Sequence, residues 1–100
     1  WAGIIPTEVA YGWDPAEVLD GVPDGQILGV EAPLWTELIS DLETIQQRTL
    51  PRLPAIAEIG WTPRADRDWA DFRTRIAGHA SRWDRRGWAW TADAGIDWPA

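Results

Sequence analysis

Residues 26–37 read Gln26-Ile27-Leu28-Gly29-Val30-Glu31-Ala32-Pro33-Leu34-Trp35-Thr36-Glu37, and the fold turns on how they are taken. The run is short and apolar, with Asp24-Gly25 before it and Pro33 inside its end, which predicts a strand over about 26–32. Leu28 and Val30 should face one side, and Ile27, Gly29 and Glu31 the other. A near-continuous apolar strand that ends in a carboxylate suits a buried parallel sheet, so its partners must lie in a longer chain or another copy. Trp35 and Glu37 follow at once. In α/β barrels, functional residues gather at the C-terminal ends of strands. A tryptophan there offers a flat apolar face to the C–H groups of a sugar ring, and a neighbouring carboxylate can accept hydrogen bonds from sugar hydroxyls. The residues alone allow equally that Trp35 is core and Glu37 opens a helix.

Outward from this stretch the pattern is helical. Upstream, Gly3, Pro6 and Gly12 punctuate residues 1–13, which read as a loop with a short extended piece. Asp14 is a good N-cap, with Pro15 in the first helical position and Glu17 three residues after the cap, so a short helix should run to Gly21. Downstream, helices are expected over about 41–86. Ser40 or Asp41 caps the first, Leu42, Ile45, Thr49 and Leu50 form its stripe, and Pro51 interrupts it. Arg52 to Ile59 continues, closed by Gly60 and Pro63. A last helix is expected from Asp68 to Arg86, with Trp69, Phe72, Ile76, Ala80 and Trp83 on one face, Asp66 or Asp68 as cap, and Gly78 as a weak point. Residues 88–100 read either as a strand-like strap or as disordered.

Composition narrows the function. The 100 residues suffice for one small domain or a piece of a larger one. There is no cysteine and one histidine, which excludes a disulfide framework, a thiolate site and a histidine-rich metal centre. No cofactor is expected, because no glycine-rich phosphate loop appears. All nine basic residues are arginine, against 16 acidic ones, and the net charge of −7 argues against nucleic acid. No apolar run is long enough to span a bilayer, and no basic amphipathic helix suggests a membrane surface. No signal peptide is visible, which leaves secreted and cytoplasmic locations both open. Methionine is absent and nine tryptophans are present, beginning with Trp1, so the chain is expected to be a piece of a longer protein.

Two motifs carry a resemblance to a known family. Ile27 to Glu37 resembles the G-V-(E/Q)-A-x-x-W-(T/S)-E signature of family 20 glycoside hydrolases, the β-N-acetylhexosaminidases. Leu50-Pro51-Arg52-Leu53-Pro54-Ala55-Ile56-Ala57-Glu58-Ile59-Gly60-Trp61-Thr62-Pro63 is similar to that family's F-P-R-L-x-A-(I/L)-A-E-x-x-W-(S/T)-P. Arg67 to Arg73 resembles the following helix, and Arg86-Gly87 its end. The resemblance implies an α/β fold in which residues 1–100 form the C-terminal part of a catalytic TIM (β/α)₈ barrel, mainly helical with one short strand. It implies hydrolysis of terminal N-acetylglucosamine or N-acetylgalactosamine by a substrate-assisted, retaining route, in which the 2-acetamido oxygen attacks the anomeric carbon, a glutamic acid protonates the leaving oxygen and an adjacent aspartate orients the acetamido group.

No Asp-Glu dipeptide occurs in the sequence, so no catalytic residue is assigned here and the isolated piece is expected to be inactive. By the same resemblance Trp35 packs under the sugar, Glu37 binds its outer hydroxyls, and Trp1 borders the leaving-group side. Arg52, Glu58 and Trp61 belong to the motif but look structural, with a possible Arg52–Glu58 ion pair. An unpaired strand and an uncovered helical stripe lead to the further expectation that the isolated chain self-associates. The competing reading is a free-standing aromatic carbohydrate-binding or protein-interaction module.

Overall fold

The structure is a computed structural model that describes residues 5–100. Five α-helices follow in order among them: α1 (Thr7–Tyr11), α2 (Leu42–Thr49), α3 (Arg52–Trp61), α4 (Trp69–Ala77) and α5 (Ala80–Arg85). Short 3₁₀ turns at Pro15–Glu17, Asp24–Gln26 and Arg64–Asp66 shape the connections. The helix starts obey simple capping chemistry. Asp41 accepts from the Thr44 amide at 2.7 Å and Asp68 from the Ala70 amide at 2.9 Å, each satisfying a donor that the first turn leaves free. The Thr44 bond also holds the Asp41 carboxyl below its usual range.

Aromatic side chains fill the centre. Tyr11 stacks on Phe72 with ring centroids 4.7 Å apart, and Trp69 lies 5.9 Å from Phe72. Around them Ala55, Ile76, Ala77, Trp83 and Ile96 are buried, with Leu50, Trp90 and Trp98 packed on the edge. Of the expected face, Phe72, Ile76, Ala80 and Trp83 are buried and Trp69 is half-buried against them. The helix that carries it breaks at Gly78 and His79, so α4 and α5 are separate elements.

Residues 88–98 take the strap alternative rather than the disordered one, but without strand structure. The Ala89 amide donates to Gln46 Oε1 at 2.9 Å, the Thr91 amide to the Leu50 carbonyl at 3.0 Å, and the Thr91 hydroxyl to the Gln47 carbonyl at 2.8 Å. The two Thr91 bonds serve main-chain carbonyls at the end of α2 that have no partner within the helix, and the Ala89 bond is to a side-chain amide. Trp90 and Trp98 meet at 4.5 Å, and their indole N–H groups donate to the Asp84 carboxylate and the Asp93 carbonyl. The strap then closes on α1. Pro6 at the head of α1 has no capping side chain. Asp93 supplies the cap from 86 residues away, accepting from the Thr7 amide at 2.6 Å and the Thr7 hydroxyl at 2.8 Å.

Several expectations are corrected. Residues 27–36 are extended but form no strand, and no strand occurs among the described residues. A ladder needs a neighbour, and no described segment lies alongside. The alternation fails too: Leu28 is fully exposed whereas Ile27 and Val30 are half-buried. Residues 7–11, expected as loop, form α1, because the strap supplies from outside the cap that the local sequence lacks. The helix expected after Asp14 is a single 3₁₀ turn, still capped by Asp14 through the Ala16 amide at 2.8 Å. Gly60 does not stop α3, which runs on through Trp61. The molecule measures 43 × 33 × 20 Å, a slab barely two helix diameters thick. Leu28, Trp35, Leu38 and Leu42 remain on its surface.

The clasp at Asp93 has a pH signature. Burial works to raise its pKa, but the Thr7 and Gly95 amides, the Thr7 hydroxyl and the charge of Arg52 outweigh burial, and the net shift is downward. A carboxyl depressed on folding stabilises the fold above its unfolded value of about 4 and loses that contribution as pH falls through the lower folded value. Asp93→Asn is expected to cost about 1.5–3 kcal/mol at pH 7 in urea unfolding. The gap between the two proteins should close at acid pH. A gap that stays constant with pH would contradict the clasp.

Candidate functional site

Residues 27–39 cross the surface as an extended segment that leans on two supports. The first is the loop of residues 13–22. The Arg67 guanidinium reaches Asp14 at 3.1 Å, with only 9% of either side chain exposed, and also donates to the Trp13 carbonyl at 3.4 Å. Arg64 adds a longer contact to Asp14 at 3.3 Å and a bond to Glu17, but it is largely solvated and contributes little by comparison. Pinned in this way, Trp13, Val18, Leu19 and Val22 form one wall of a cleft of about 250 Å³, and Ile27, Val30 and Glu31 form the other. The second support is α3, which Val30 meets at Gly60.

Beyond these supports the segment stands free. The Ile27 amide bonds to Asp24 and the Ile39 amide to Thr36, both at 3.1 Å, and no backbone–backbone bond among the described residues ties 28–35 to another element. Trp35 is 69% exposed and Glu37 is exposed, at the start of the turn that Thr36 and Ile39 close. Trp35 thus lies on the surface of this chain and not in its core. Trp1 lies outside the described residues.

Elsewhere several charged residues find structural partners. The Arg52–Glu58 pair does not form. Glu58 instead meets Arg75 of α4 at 2.5 Å, because six residues of helix turn Glu58 away from Arg52 and toward the neighbouring helix. Arg75 also holds Asp71 at 2.6 Å, as its spacing of four predicts. Arg52 reaches the Gln47 carbonyl at 3.5 Å. Glu58, Trp61, Arg75 and His79 line a second groove of about 330 Å³ between α3 and α4–α5. No group of three or more metal-ligating side chains gathers among the described residues, and none of their helices is long and apolar enough to cross a membrane.

Comparison with known proteins places this arrangement. Residues 1–64 match the family described as glycosyl hydrolase family 20, catalytic domain. The chain belongs to glycosyl hydrolase family 20. It is 48% identical to a β-N-acetylhexosaminidase of Cellulomonas fimi over 99% of this chain and 20% of that protein. It superposes on the solved family 20 β-N-acetylhexosaminidase of Streptomyces coelicolor A3(2) with a TM-score of 0.91 at 40% identity, over 99% of this chain and 20% of the other. The family 20 exo-β-N-acetylglucosaminidase of Vibrio harveyi, solved with N-acetylglucosamine, gives a TM-score of 0.81 at 34% identity, over 94% of this chain and 15% of the other. The chain thus spans about a fifth of the length of the first two relatives. It has the fold of one part of a family 20 TIM barrel, and the regular secondary structure among its described residues is helical. Membership in a catalytic-domain family removes the ground for a free-standing module.

Sequence reasoning missed the Arg67–Asp14 pair and the Glu58–Arg75 pair. Both join residues distant in sequence, and neither follows a helical spacing. The exposure of Trp35 sets a testable contrast in this chain. Trp35→Ala should change unfolding free energy by no more than about 0.5 kcal/mol, as for surface positions. Trp83, only 4% exposed, should cost about 3–5 kcal/mol as alanine. Equal losses in chemical denaturation would return Trp35 to the core.

Proposed function

We propose that this chain is the part of a β-N-acetylhexosaminidase that holds the terminal sugar from below and at its outer edge. The observation that carries the reading is the exposed indole of Trp35, two residues ahead of the exposed carboxylate of Glu37 on one free-standing segment. An indole face offers dispersion contact to the C–H face of a pyranose ring. The Glu37 carboxylate has acceptor capacity for two hydroxyls, which suits the outer hydroxyls of an N-acetylhexosamine. Trp1, from the motif correspondence, borders the leaving-group side. The Vibrio relative was solved with N-acetylglucosamine, and this supports N-acetylglucosamine- or N-acetylgalactosamine-containing glycans as substrates.

The chemistry fits the substrate-assisted retaining route. The acetamido oxygen attacks the anomeric carbon, a glutamic acid protonates the departing oxygen, and an aspartate steadies the acetamido group. That acid–aspartate pair would come from outside these 100 residues, in which no Asp-Glu dipeptide occurs. The 100-residue chain alone is therefore expected to show no turnover of an aryl N-acetyl-β-glucosaminide, since general acid help supplies about 10²–10⁴-fold in rate. Its exposed Leu28, Trp35, Leu38 and Leu42 also favour pairing with a second copy. Sedimentation at micromolar concentration should show that association. A clean monomer, or hydrolysis that survives stringent purification, would contradict these statements.

The test of the site itself uses the whole enzyme. Glu37→Gln keeps the shape and removes the charge. A hydrogen bond to a charged acceptor contributes roughly 1.5–3 kcal/mol, so kcat/KM should fall by about 10–150-fold. The acid limb of the pH–rate profile should not move, because Glu37 serves recognition and not protonation. Loss of that limb would make Glu37 the general acid and end this assignment of roles.

A further inference from the structure

Asp93 is built into the strap as a rigid acceptor. Its Oδ1 takes the Gly95 amide at 2.9 Å, and its own carbonyl takes the Trp98 indole N–H at 2.9 Å and the Ile96 amide at 3.2 Å. Ile96 and Trp98 are in turn packed on the aromatic centre. Oδ2 is left aimed at α1, where it accepts the Thr7 amide and hydroxyl. Thr7 is fully buried, so neither donor has water as a substitute.

Helix α1 has two separate anchors. Tyr11 at its last position stacks on Phe72, and Asp93 caps its head. A helix of five residues is too short to hold its first turn by its own hydrogen bonds. Loss of the cap would therefore loosen the head while the Tyr11 end stays docked. Pro6 at that head is extended, at φ −56° and ψ 143°, and its carbonyl accepts the Val9 and Ala10 amides. It also keeps Ile5 out of the helical region, so the chain leaves the first turn in a direction that the cap sets. Trp1 comes six residues before Thr7, a span of at most about 20 Å. In barrels the loops that follow the strands build the active site, and each ends where its helix begins. Every contact on this path joins two residues of this chain.

We infer that Asp93 is a positioning residue for the leaving-group side of the sugar site: by capping α1 it fixes the end of the loop that carries Trp1. This rests on the proposed place of Trp1 in that site. Asp93 touches no substrate. A displaced Trp1 weakens the grip on a large leaving group and leaves the terminal sugar's contacts at Trp35 and Glu37 as they were. The effect therefore belongs in the discrimination between leaving groups.

The experiment is steady-state kinetics of the whole enzyme on two substrates. One is the β-linked disaccharide of N-acetylglucosamine, and the other is N-acetyl-β-glucosaminyl fluoride, whose leaving group is a single atom. The quantity read is the ratio of kcat/KM for the disaccharide to that for the fluoride. Asp93→Asn should lower the ratio roughly fivefold to tenfold, with the fluoride value within about twofold of wild type, since sites respond to displacements on the order of 1 Å. Thr7→Val removes one donor and keeps the buried shape, and should lower the ratio roughly threefold, whereas Thr7→Ser keeps the donor and should match wild type. In a Trp1→Ala background Asp93→Asn should change the ratio by less than about twofold, because nothing remains to be positioned. Equal losses on both substrates in Asp93→Asn would reduce the clasp to a structural one and overturn the inference, as would a loss of ratio that persists without Trp1. If Asp93→Asn does not fold, the two Thr7 variants decide on the same terms. Trp1→Ala alone separates the two layers. If it leaves the ratio unchanged, the reading of Trp1 fails and this inference with it. If it lowers the ratio while Asp93→Asn and Thr7→Val do not, only the inference fails.

Discussion

The seat of Val30 on the bare backbone of Gly60 joins the two halves of this structure. On one side is a helical slab with an aromatic centre. On the other is an extended segment with no ladder among the described residues, which carries the exposed Trp35 and Glu37. An extended segment ordinarily gets its conformation from neighbouring strands. In this chain it rests by side-chain contact on α3 and on the loop of residues 13–22, which the near-buried Arg67–Asp14 pair holds in place.

The slab has its own chain of dependence. Tyr11, Phe72 and Trp69 make the centre, and the Trp83, Trp90 and Trp98 cluster extends it toward the strap. The strap is held at one end by the carbonyls of α2 and at the other by Asp93 on Thr7. Tryptophan suits such a strap, because it buries a large ring yet needs one polar partner for its N–H, and both indoles find theirs nearby. The high tryptophan content thus divides by role. Trp83, Trp90 and Trp98 pack the slab, whereas Trp35 faces outward.

Much of this was legible in the sequence, and the failures have physical reasons. Local chemistry was legible: Asp14, Asp41 and Asp68 cap where their side chains suggest, Asp71 reaches Arg75, and the Phe72–Trp83 face is buried. The family was legible because its motifs are long, and the same motifs singled out Trp35 and Glu37. Features that depend on distant partners were not legible. The strand pattern at 26–32 reports apolar character, but a strand also needs a neighbour, which no sequence window contains. Helix α1 was invisible because its cap, Asp93, comes from the far end of the chain. The sequence leaves a pairing of Glu58 with Arg52 open, whereas the partner it finds, Arg75, is one helix away. Gly60 read as a helix stop, and its actual use appears only when Val30 is seen against it.

The central claim is that the extended segment presents Trp35 and Glu37 to one sugar. The most direct measurement is a crystal structure of the whole enzyme with N-acetylglucosamine bound. The account predicts the pyranose ring stacked on the Trp35 indole, with Glu37 oxygens at hydrogen-bond distance from hydroxyls on the outer edge of the ring and away from the glycosidic oxygen. A sugar bound elsewhere, or one that leaves the Trp35 face in solvent, would contradict it.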